Sequence, residues 1–272
     1  MLATRGTRPT GRRDFGKPPG RLRRLSVTVP MAIAASVLAF GPAAPGATVR
    51  VMSAALRQTS PVGALFTLAK PGELGRHFCT ASVVDSPMGD LVVTAAHCVG
   101  ANMTGQIAFV PDYAAGQAPD GIWMVTRILM DRQWISSRDP DDDFAFLIVN
   151  QPGNPASVQQ FTGGEAIDID APAGQRVELA GYNDSQDALT SCQNTAHLVE
   201  GTQLELQCGS FGGGTSGSPF LAAASRTDRD TVIGVLGGYQ QGGLSSSVSY
   251  AARFNTELAA LYGSAVAESE RA

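Results

Sequence analysis

Short apolar runs separated by turn-forming residues recur along most of the chain. Each run is four to nine residues long and contains β-branched side chains, and Gly, Pro, Asn and Asp lie between the runs. The runs cover residues 62–68, 80–84, 91–96, 107–110, 122–130, 144–149, 176–182, 203–208, 232–239 and 248–254. This spacing favours antiparallel sandwiches or barrels over alternating strands and helices, so the sequence predicts an all-β protein.

The pattern changes at two places. Residues 151–164 contain two Pro and three Gly and little apolar material, which indicates a connector between two β lobes at 61–150 and 165–272. At the end of the chain, Phe254, Leu258, Leu261 and Tyr262 recur at helical intervals. The second lobe is therefore expected to finish with one amphipathic helix.

Composition supports this reading and limits the function. Glycine accounts for 31 of 272 residues and charged residues for 16%, which favours a turn-rich β protein over a helical bundle. Residues 1–47 hold eight Arg or Lys and one Asp, which gives this segment a net charge of +7. Because the net charge of the whole chain is −4, the remaining residues carry a net charge of −11. An acidic body makes nucleic-acid binding through a basic face improbable, and no nucleic-acid partner is expected.

The first 47 residues have the layout of a secretory signal. Basic residues precede an apolar run at 31–40, and a small, Pro-rich stretch follows it. A run of ten residues is too short to cross a bilayer as a helix, so we expect cleavage, secretion and no stable membrane association. Residues 48–60 would then be a short propeptide or the mature N-terminal arm. Arg12-Arg13 resembles a twin-arginine motif but lies far from the apolar run, which leaves the export route open.

The four cysteines all lie after the predicted signal. Cys79, Cys98, Cys192 and Cys208 suggest two disulfides in an oxidising compartment, with three possible pairings. We favour local pairing, Cys79 with Cys98 and Cys192 with Cys208, because it closes short loops. A zinc site is disfavoured because no Cys-x-x-Cys pair occurs, and no metal or cofactor is expected.

Two segments could supply an acid–base pair. An apolar strand from Leu91 delivers His97 and then Cys98, so a crosslink would hold the imidazole in one orientation, as a general base requires. A run of acids ends at Asp143 directly before a predicted buried strand. A buried carboxylate needs a hydrogen-bonding partner, and an imidazole N–H is suitable. The preceding Asp141 and Asp142 are expected in a solvated turn.

A third segment could supply a nucleophile. Residues 212–220 read Gly-Gly-Gly-Thr-Ser-Gly-Ser-Pro-Phe. Flanking glycines leave the backbone N–H groups of Gly214 and Ser216 unobstructed, so they could bind a developing oxyanion while Ser216 attacks. The segment lacks the Gly-Lys-Ser/Thr of a phosphate-binding loop, and Ser218 stands where a G-x-S-x-G elbow needs its second Gly.

The chain resembles the chymotrypsin-fold serine peptidases in two respects. The three residues occur in the same order, His97, Asp143 and Ser216, and they lie in the motifs Thr-Ala-Ala-His-Cys, Asp-Phe-Ala-Phe-Leu and Gly-Thr-Ser-Gly-Ser-Pro. The secreted bacterial trypsin-like and glutamyl-endopeptidase-like members are the most similar. The resemblance implies two six-stranded antiparallel barrels with the active site in the cleft between them. It also implies a polypeptide substrate and an acyl-enzyme intermediate. We expect the enzyme to be a monomer.

Departures from the family pattern concern activation and specificity. Thr215 occupies the position where animal trypsins carry Asp, so the family's salt bridge to a new N-terminus cannot form in that way. By resemblance, the residues expected to bind substrate are Ser210, Leu236, Gly237 and Gly238. Ser210 provides no counter-charge for Arg or Lys, and Leu236 replaces the His of glutamyl endopeptidases. A small or medium apolar side chain is therefore the expected preference.

Two other functions stay open at this point. The chain could be a catalytically silent protease-fold protein that binds a partner, or an extracellular esterase that uses the same three residues. His197 lies between Cys192 and Cys208 and is expected to be a surface or loop histidine outside the site.

Overall fold

The computed structural model describes residues 59–70, 72–184, 186–223 and 230–272. The predicted signal at 1–47 lies outside the described residues, as do residues 48–58 of the predicted propeptide or arm. The boundaries drawn there stay predictions.

Six strands form a closed antiparallel barrel in the N-terminal half. They are β1 (Val62–Lys70), β2 (Glu73–Val83), β3 (Leu91–Thr94), β4 (Ile107–Pro111), β5 (Trp123–Met130) and β6 (Ala145–Asn150). The order around the barrel is β1-β2-β3-β6-β5-β4, and β1 closes it by pairing with both β2 and β4. Apolar side chains such as Leu65, Phe109, Trp123 and Leu147 fill its interior and supply the hydrophobic driving force for closure.

The C-terminal half is a second barrel built from a sheet of eight strands. They are β7 (Ala166–Ile167), β8 (Arg176–Tyr182), β9 (Leu189–Thr195), β10 (His197–Val199), β11 (Gln203–Leu206), β12 (Pro219–Ala222), β13 (Thr231–Leu236) and β14 (Ser249–Arg253). Seven of them follow the order β10-β11-β14-β13-β12-β8-β9, and β7 pairs in parallel with β13.

Only Ala196 separates β9 from β10, so the two ends of this sheet belong to one bent strand. β9 pairs with β8, while β10 pairs with β11. With β9 and β10 counted as one, six antiparallel strands close a ring. The predicted all-β fold of two six-stranded barrels is thus confirmed.

Within the ranges that the structure describes, three α-helices accompany the strands, α1 (Arg132–Ser137), α2 (Val158–Thr162) and α3 (Thr256–Ser269). The first two are short and not predicted, and α2 lies within the connector. The terminal helix is confirmed. Its N-cap is Asn255, whose side chain accepts a hydrogen bond from the Leu258 N–H. No helix in the described part of the chain is long and apolar enough to cross a membrane.

An apolar cluster joins the two barrels and the terminal helix. Phe144 and Phe146 from the first barrel pack with Val235 and Phe254 of the second and with Leu258 of α3. The Tyr262 hydroxyl of α3 donates to the Asp85 carbonyl at 2.8 Å. Because Phe144 directly follows Asp143, this cluster fixes the place at which the carboxylate emerges.

Two disulfides are present, with the local pairing favoured above. Cys79 in β2 is bonded to Cys98, and Cys192 in β9 is bonded to Cys208. The first disulfide ties β2 to the turn that carries His97. The second lies wholly within the second barrel.

Candidate active site

His97 lies on a short 3-10 turn, Ala96–Cys98, directly after β3. The strand itself is buried, so the turn begins at the edge of the core. Cys98 fixes the end of the turn through its disulfide to Cys79. The imidazole is 14% exposed, which leaves one part of the ring open to the surface while the remainder is packed.

Asp143 is fully buried and accepts three hydrogen bonds. Its Oδ1 accepts from the backbone N–H of His97 at 2.8 Å, and its Oδ2 lies 2.7 Å from His97 Nδ1. The N–H of Gly238 also donates to Oδ2, at 2.8 Å. Since an ionised carboxylate only accepts hydrogen bonds, the His97 proton is assigned to Nδ1, which leaves Nε2 as an acceptor.

The segment that carries Ser216 is bonded to the first barrel. Thr80 of β2 donates from its backbone N–H to the Ser216 carbonyl at 2.8 Å and from its hydroxyl to the Gly214 carbonyl at 3.1 Å. Gly217 has φ +83°, and a Cβ there would lie 2.2 Å from the Thr80 carbonyl oxygen and from Thr94 Oγ1. Only glycine allows this approach, which brings the Ser216 segment against the strand that delivers His97.

All three candidate residues lie where the two barrels meet, but only two of them are hydrogen-bonded to each other. His97 and Asp143 are joined by two hydrogen bonds. Ser216 is partly buried on the opposing segment, and within the described residues its hydroxyl forms no hydrogen bond to His97. In unliganded sites such bonds are often long, so the placement of the Ser216 segment is the informative observation.

Between Gly214 and Ser218, two backbone donors are left without an acceptor among the described residues. The N–H groups of Thr215, Gly217 and Ser218 donate to backbone carbonyls, whereas those of Gly214 and Ser216 donate to none among the described residues. Gly214 has φ +88°, and a Cβ there would lie 2.6 Å from the Asp184 nitrogen. Two free N–H groups beside a serine are the arrangement that binds an oxyanion.

A cavity of about 280 Å³ adjoins Ser216. Phe211, Leu236 and Leu244 supply apolar lining, and the other lining side chains are Thr215, Gln241, Ser245, Ser246 and Ser249, with none charged. A larger cavity of about 630 Å³ in the first barrel, near Leu68 and Met124, contains none of the candidate site residues.

The expected substrate-binding residues are placed differently from one another. Leu236 lines the cavity beside Ser216. Ser210 is exposed, has φ +74° and does not line that cavity. Gly238 donates to Asp143, and a Cβ on Gly237 would lie 2.9 Å from Asp143 Oδ2. These two glycines therefore give the carboxylate room and a donor. His197 is exposed in β10, away from these contacts.

The acidic turn before Asp143 corrects one expectation. Asp142 is 4% exposed instead of solvated, and Asp141 is partly buried. Burial, followed by the negative charge of Asp131, raises the pKa of Asp142 to about 6, and Asp139 and Glu257 act in the same direction. Among the described residues, no group of three or more His, Cys, Asp or Glu is arranged to hold a metal ion.

Comparison with protein-family models gives a match to the trypsin-like peptidase domain over residues 79–235. This range is more than half of the chain and includes His97, Asp143 and Ser216. The chain belongs to the trypsin-like peptidase family. It is accordingly a serine-type endopeptidase, a hydrolase that acts on polypeptides.

Solved structures agree with this assignment. The protease Anisep from Arthrobacter nicotinovorans is 25% identical, with a TM-score of 0.64 over 77% of this chain and 97% of its own. A thermostable serine protease, AL20, from an extremophilic microorganism is 24% identical, with a TM-score of 0.63 over 76% and 98%. A Glu endopeptidase shares the fold at 15% identity, with a TM-score of 0.60 over 80% and 95%. A search of curated proteins gave no match.

Proposed function

We propose that this trypsin-like peptidase cleaves peptide bonds through a triad of Ser216, His97 and Asp143. The observation that carries the proposal is the buried Asp143 carboxylate, which is hydrogen-bonded to both the backbone and the ring of His97. A carboxylate in this position sets the tautomer of the imidazole and stabilises the imidazolium that forms during reaction. The contacts of Thr80 with the Ser216 segment support the placement of the nucleophile.

In the first half-reaction, Ser216 Oγ attacks the substrate carbonyl carbon while its proton passes to His97 Nε2. The negative charge that develops on the carbonyl oxygen is bound by the N–H groups of Gly214 and Ser216. The carbon–nitrogen bond then breaks, and His97 returns the proton to the leaving amine. The products of this step are a free amine and an ester between Ser216 and the acyl part of the substrate.

Water completes the reaction. His97 takes a proton from water as the water oxygen attacks the ester, and Gly214 and Ser216 bind the oxyanion again. Collapse releases the carboxylic acid, and the proton returns to Ser216 Oγ. Loss of one oxyanion donor in such a site costs about 10²- to 10³-fold in turnover.

The lining of the cavity beside Ser216 supports a preference for uncharged side chains. Its walls carry apolar groups and neutral hydroxyl or amide groups. A cationic or anionic substrate side chain would lose hydration there and gain no counter-charge. Small or medium apolar side chains are the proposed preference, and cleavage profiling of a peptide library checks it. Dominant cleavage after Arg, Lys or Glu would overturn it.

Export from the cell is also proposed. The cysteines at 79, 98, 192 and 208 are all disulfide-bonded, and such bonds persist in oxidising compartments. The basic and apolar pattern of residues 1–47 supplies the signal. N-terminal sequencing of protein recovered from the culture medium should give a start between residues 44 and 60, whereas protein retained in the cell with its original N-terminus would contradict export.

Substitution of the nucleophile tests the catalytic proposal. Ser216→Ala should lower kcat on a peptide amide about 10⁶-fold, because the covalent step is lost. Ser218→Ala is the matched control, since the Ser218 hydroxyl is buried and has no hydrogen-bond partner among the described residues. The control should stay active. Hydrolysis by Ser216→Ala at the wild-type rate would refute the triad. If the wild-type enzyme hydrolyses esters and not peptide amides, the esterase alternative is favoured.

A further inference from the structure

Asp143 is held from both barrels. The first barrel supplies the two donors of His97, and the second supplies the Gly238 N–H just after β13. The Gly238 N–H and His97 Nδ1 meet the same oxygen, Asp143 Oδ2. The position of the 238–239 backbone therefore affects the carboxylate that the proposed mechanism uses.

The side chain of Gln203 is hydrogen-bonded both to the turn that precedes Asp143 and to the residue that follows Gly238. It lies at the start of β11 and is 2% exposed. Its amide nitrogen donates to Asp141 Oδ1 at 2.7 Å and to the Pro140 carbonyl at 3.2 Å. Its amide oxygen accepts from the Tyr239 N–H at 3.0 Å. One side chain thus joins the turn that precedes Asp143 to the residue that follows Gly238.

The fit around Gly238 is close. A Cβ at this position would lie 2.4 Å from Gln203 Oε1 and 2.9 Å from the Pro140 carbonyl oxygen, and the backbone has φ +68°. The three segments at 140–141, 203 and 238–239 are packed together with no room for a side chain on Gly238. A shift of Gln203 would therefore move the donor to Asp143.

A buried glutamine can serve stability alone, by satisfying its own polar atoms. The partners of Gln203 point to more than that. Its amide group is hydrogen-bonded to Pro140 and Asp141, three and two residues before Asp143, and to Tyr239, one residue after the Gly238 donor. All three lie outside its own strand, and together they flank the carboxylate in the chain.

On the basis of the triad proposed above, we infer that Gln203 is a positioning residue for peptide hydrolysis. It clamps the turn at 140–141 to the segment at 238–239 and thereby keeps the Gly238 N–H on Asp143 Oδ2. It does not touch the substrate or the reacting atoms. Its effect is exerted through Asp143 and reaches the reaction in the transition state, when the imidazolium of His97 forms.

Replacement by a side chain of similar size tests this role. Gln203→Met removes all three hydrogen bonds and leaves the volume nearly unchanged. We expect kcat on a peptide amide to fall about 10- to 100-fold with KM changed less than about twofold, because misplaced catalytic groups lower transition-state stabilisation and not substrate binding. Rates are expressed per site titrated with a fluorophosphonate, so that unfolded protein is not counted.

Gln159→Met is the matched control. Gln159 also donates to a carboxylate, Asp85 at 2.9 Å, and also accepts from a backbone N–H, that of Ser86 at 3.1 Å. It has no contact with Asp143. Its substitution should lower the melting temperature and leave kcat unchanged. An equal kcat for Gln203→Met and Gln159→Met would overturn the positioning role.

Gln203→Glu gives a second, pH-dependent readout. The introduced carboxyl can accept from the Tyr239 N–H, but it can donate to Asp141 only when protonated. The ratio of its kcat to that of the wild type should therefore rise as the pH is lowered. A ratio that is low and flat with pH, or one near unity at all pH values, would overturn the proposal. This readout also decides the matter where Gln203→Met does not fold.

Ser216→Ala in the same assay separates the two proposals. Persistent hydrolysis by Ser216→Ala would refute the triad itself. Loss of hydrolysis in Ser216→Ala together with full activity in Gln203→Met would refute only the role of Gln203.

Discussion

The two barrels contribute to the site in contrasting ways. The first supplies an acid–base pair whose carboxylate is fully buried and accepts three hydrogen bonds, one of them from the second barrel. The second supplies a serine between two glycines with positive φ, two unused N–H groups and an adjoining cavity. In the proposed mechanism, the groups that move protons are thus fixed before substrate arrives, whereas donors and space are left open where substrate would bind.

With the nucleophile left in place, the largest effect should come from the fixed half of the site. Asp143→Asn is expected to lower kcat about 10³- to 10⁴-fold, because an amide accepts through one oxygen only, so its NH2 group must face either the backbone N–H of His97 or the donors at Oδ2, and it permits the wrong tautomer of His97. Steady-state hydrolysis of a peptide amide by the variant and by the wild type gives the ratio of their kcat values. Asp139→Asn serves as the control, since an amide oxygen can still accept from the Asp141 N–H. An Asp143→Asn variant with more than about a tenth of wild-type kcat would contradict the account.

The open half should be sensitive to backbone crowding. Gly217→Ala places a methyl group against the Thr80 carbonyl and Thr94 Oγ1, and it should lower kcat/KM about 100-fold by displacing Ser216. Gly174→Ala is matched in conformation, with φ +83°, but has nothing within 4 Å of the added Cβ. The control should lose about 1 kcal/mol of unfolding free energy and keep its activity. Equal kcat/KM for the two variants would show that the Thr80 contact does not place the nucleophile.

Removal of either disulfide should have a smaller effect, which differs between the two barrels. They close loops of similar length, with sequence separations of 19 and 16 residues, so either removal should cost about 3 kcal/mol of stability. Only Cys98 neighbours His97. Replacing Cys79 and Cys98 by Ala should also lower kcat about 10-fold, whereas the same change at Cys192 and Cys208 should not. The kcat of each double variant is measured below its melting temperature. An equal loss of kcat in the two variants would show that the first disulfide does not hold His97 in place.

The smallest effect concerns the buried acid beside Asp143. The folded-state pKa of Asp142 is raised to about 6, above that of the unfolded chain, so the stability gained from its bound proton is present at low pH and lost as the pH rises through about 6. Asp142→Asn removes this loss. It should be more stable than the wild type by about 1 to 2 kcal/mol at pH 8, with a smaller difference at pH 4. Denaturant unfolding at the two pH values measures it, and a difference independent of pH would contradict burial as the cause.

The sequence predicts the first barrel better than the second, and the reason is burial. Apolar runs predict all six strands of the first barrel, because these strands face a closed core. In the second barrel, β9 alternates between exposed and half-buried positions and carries Thr, Ser, Gln and Asn, so it has no apolar signal. β12 begins at Pro219 inside a Gly/Ser-rich run that indicates a loop, and β7 has only two residues.

The site shows the same division. Local motifs are sufficient to propose His97, Asp143 and Ser216 as the triad, because each lies beside a distinctive strand or glycine run. The supporting contacts of Thr80, Gln203 and Gly238 join residues 36 to 136 positions apart, and no local pattern marks them. The burial of Asp142 was missed for the same reason, since it depends on how the acidic turn packs against the second barrel and α3.

Covalent labelling is the most direct test of the central claim. The full chain is treated with a fluorophosphonate and digested, and the modified peptide is sequenced by mass spectrometry. Modification is expected at Ser216, with loss of labelling in His97→Ala. Labelling of Ser218 or another serine in its place, or labelling of Ser216 that is undiminished by His97→Ala, would contradict that claim.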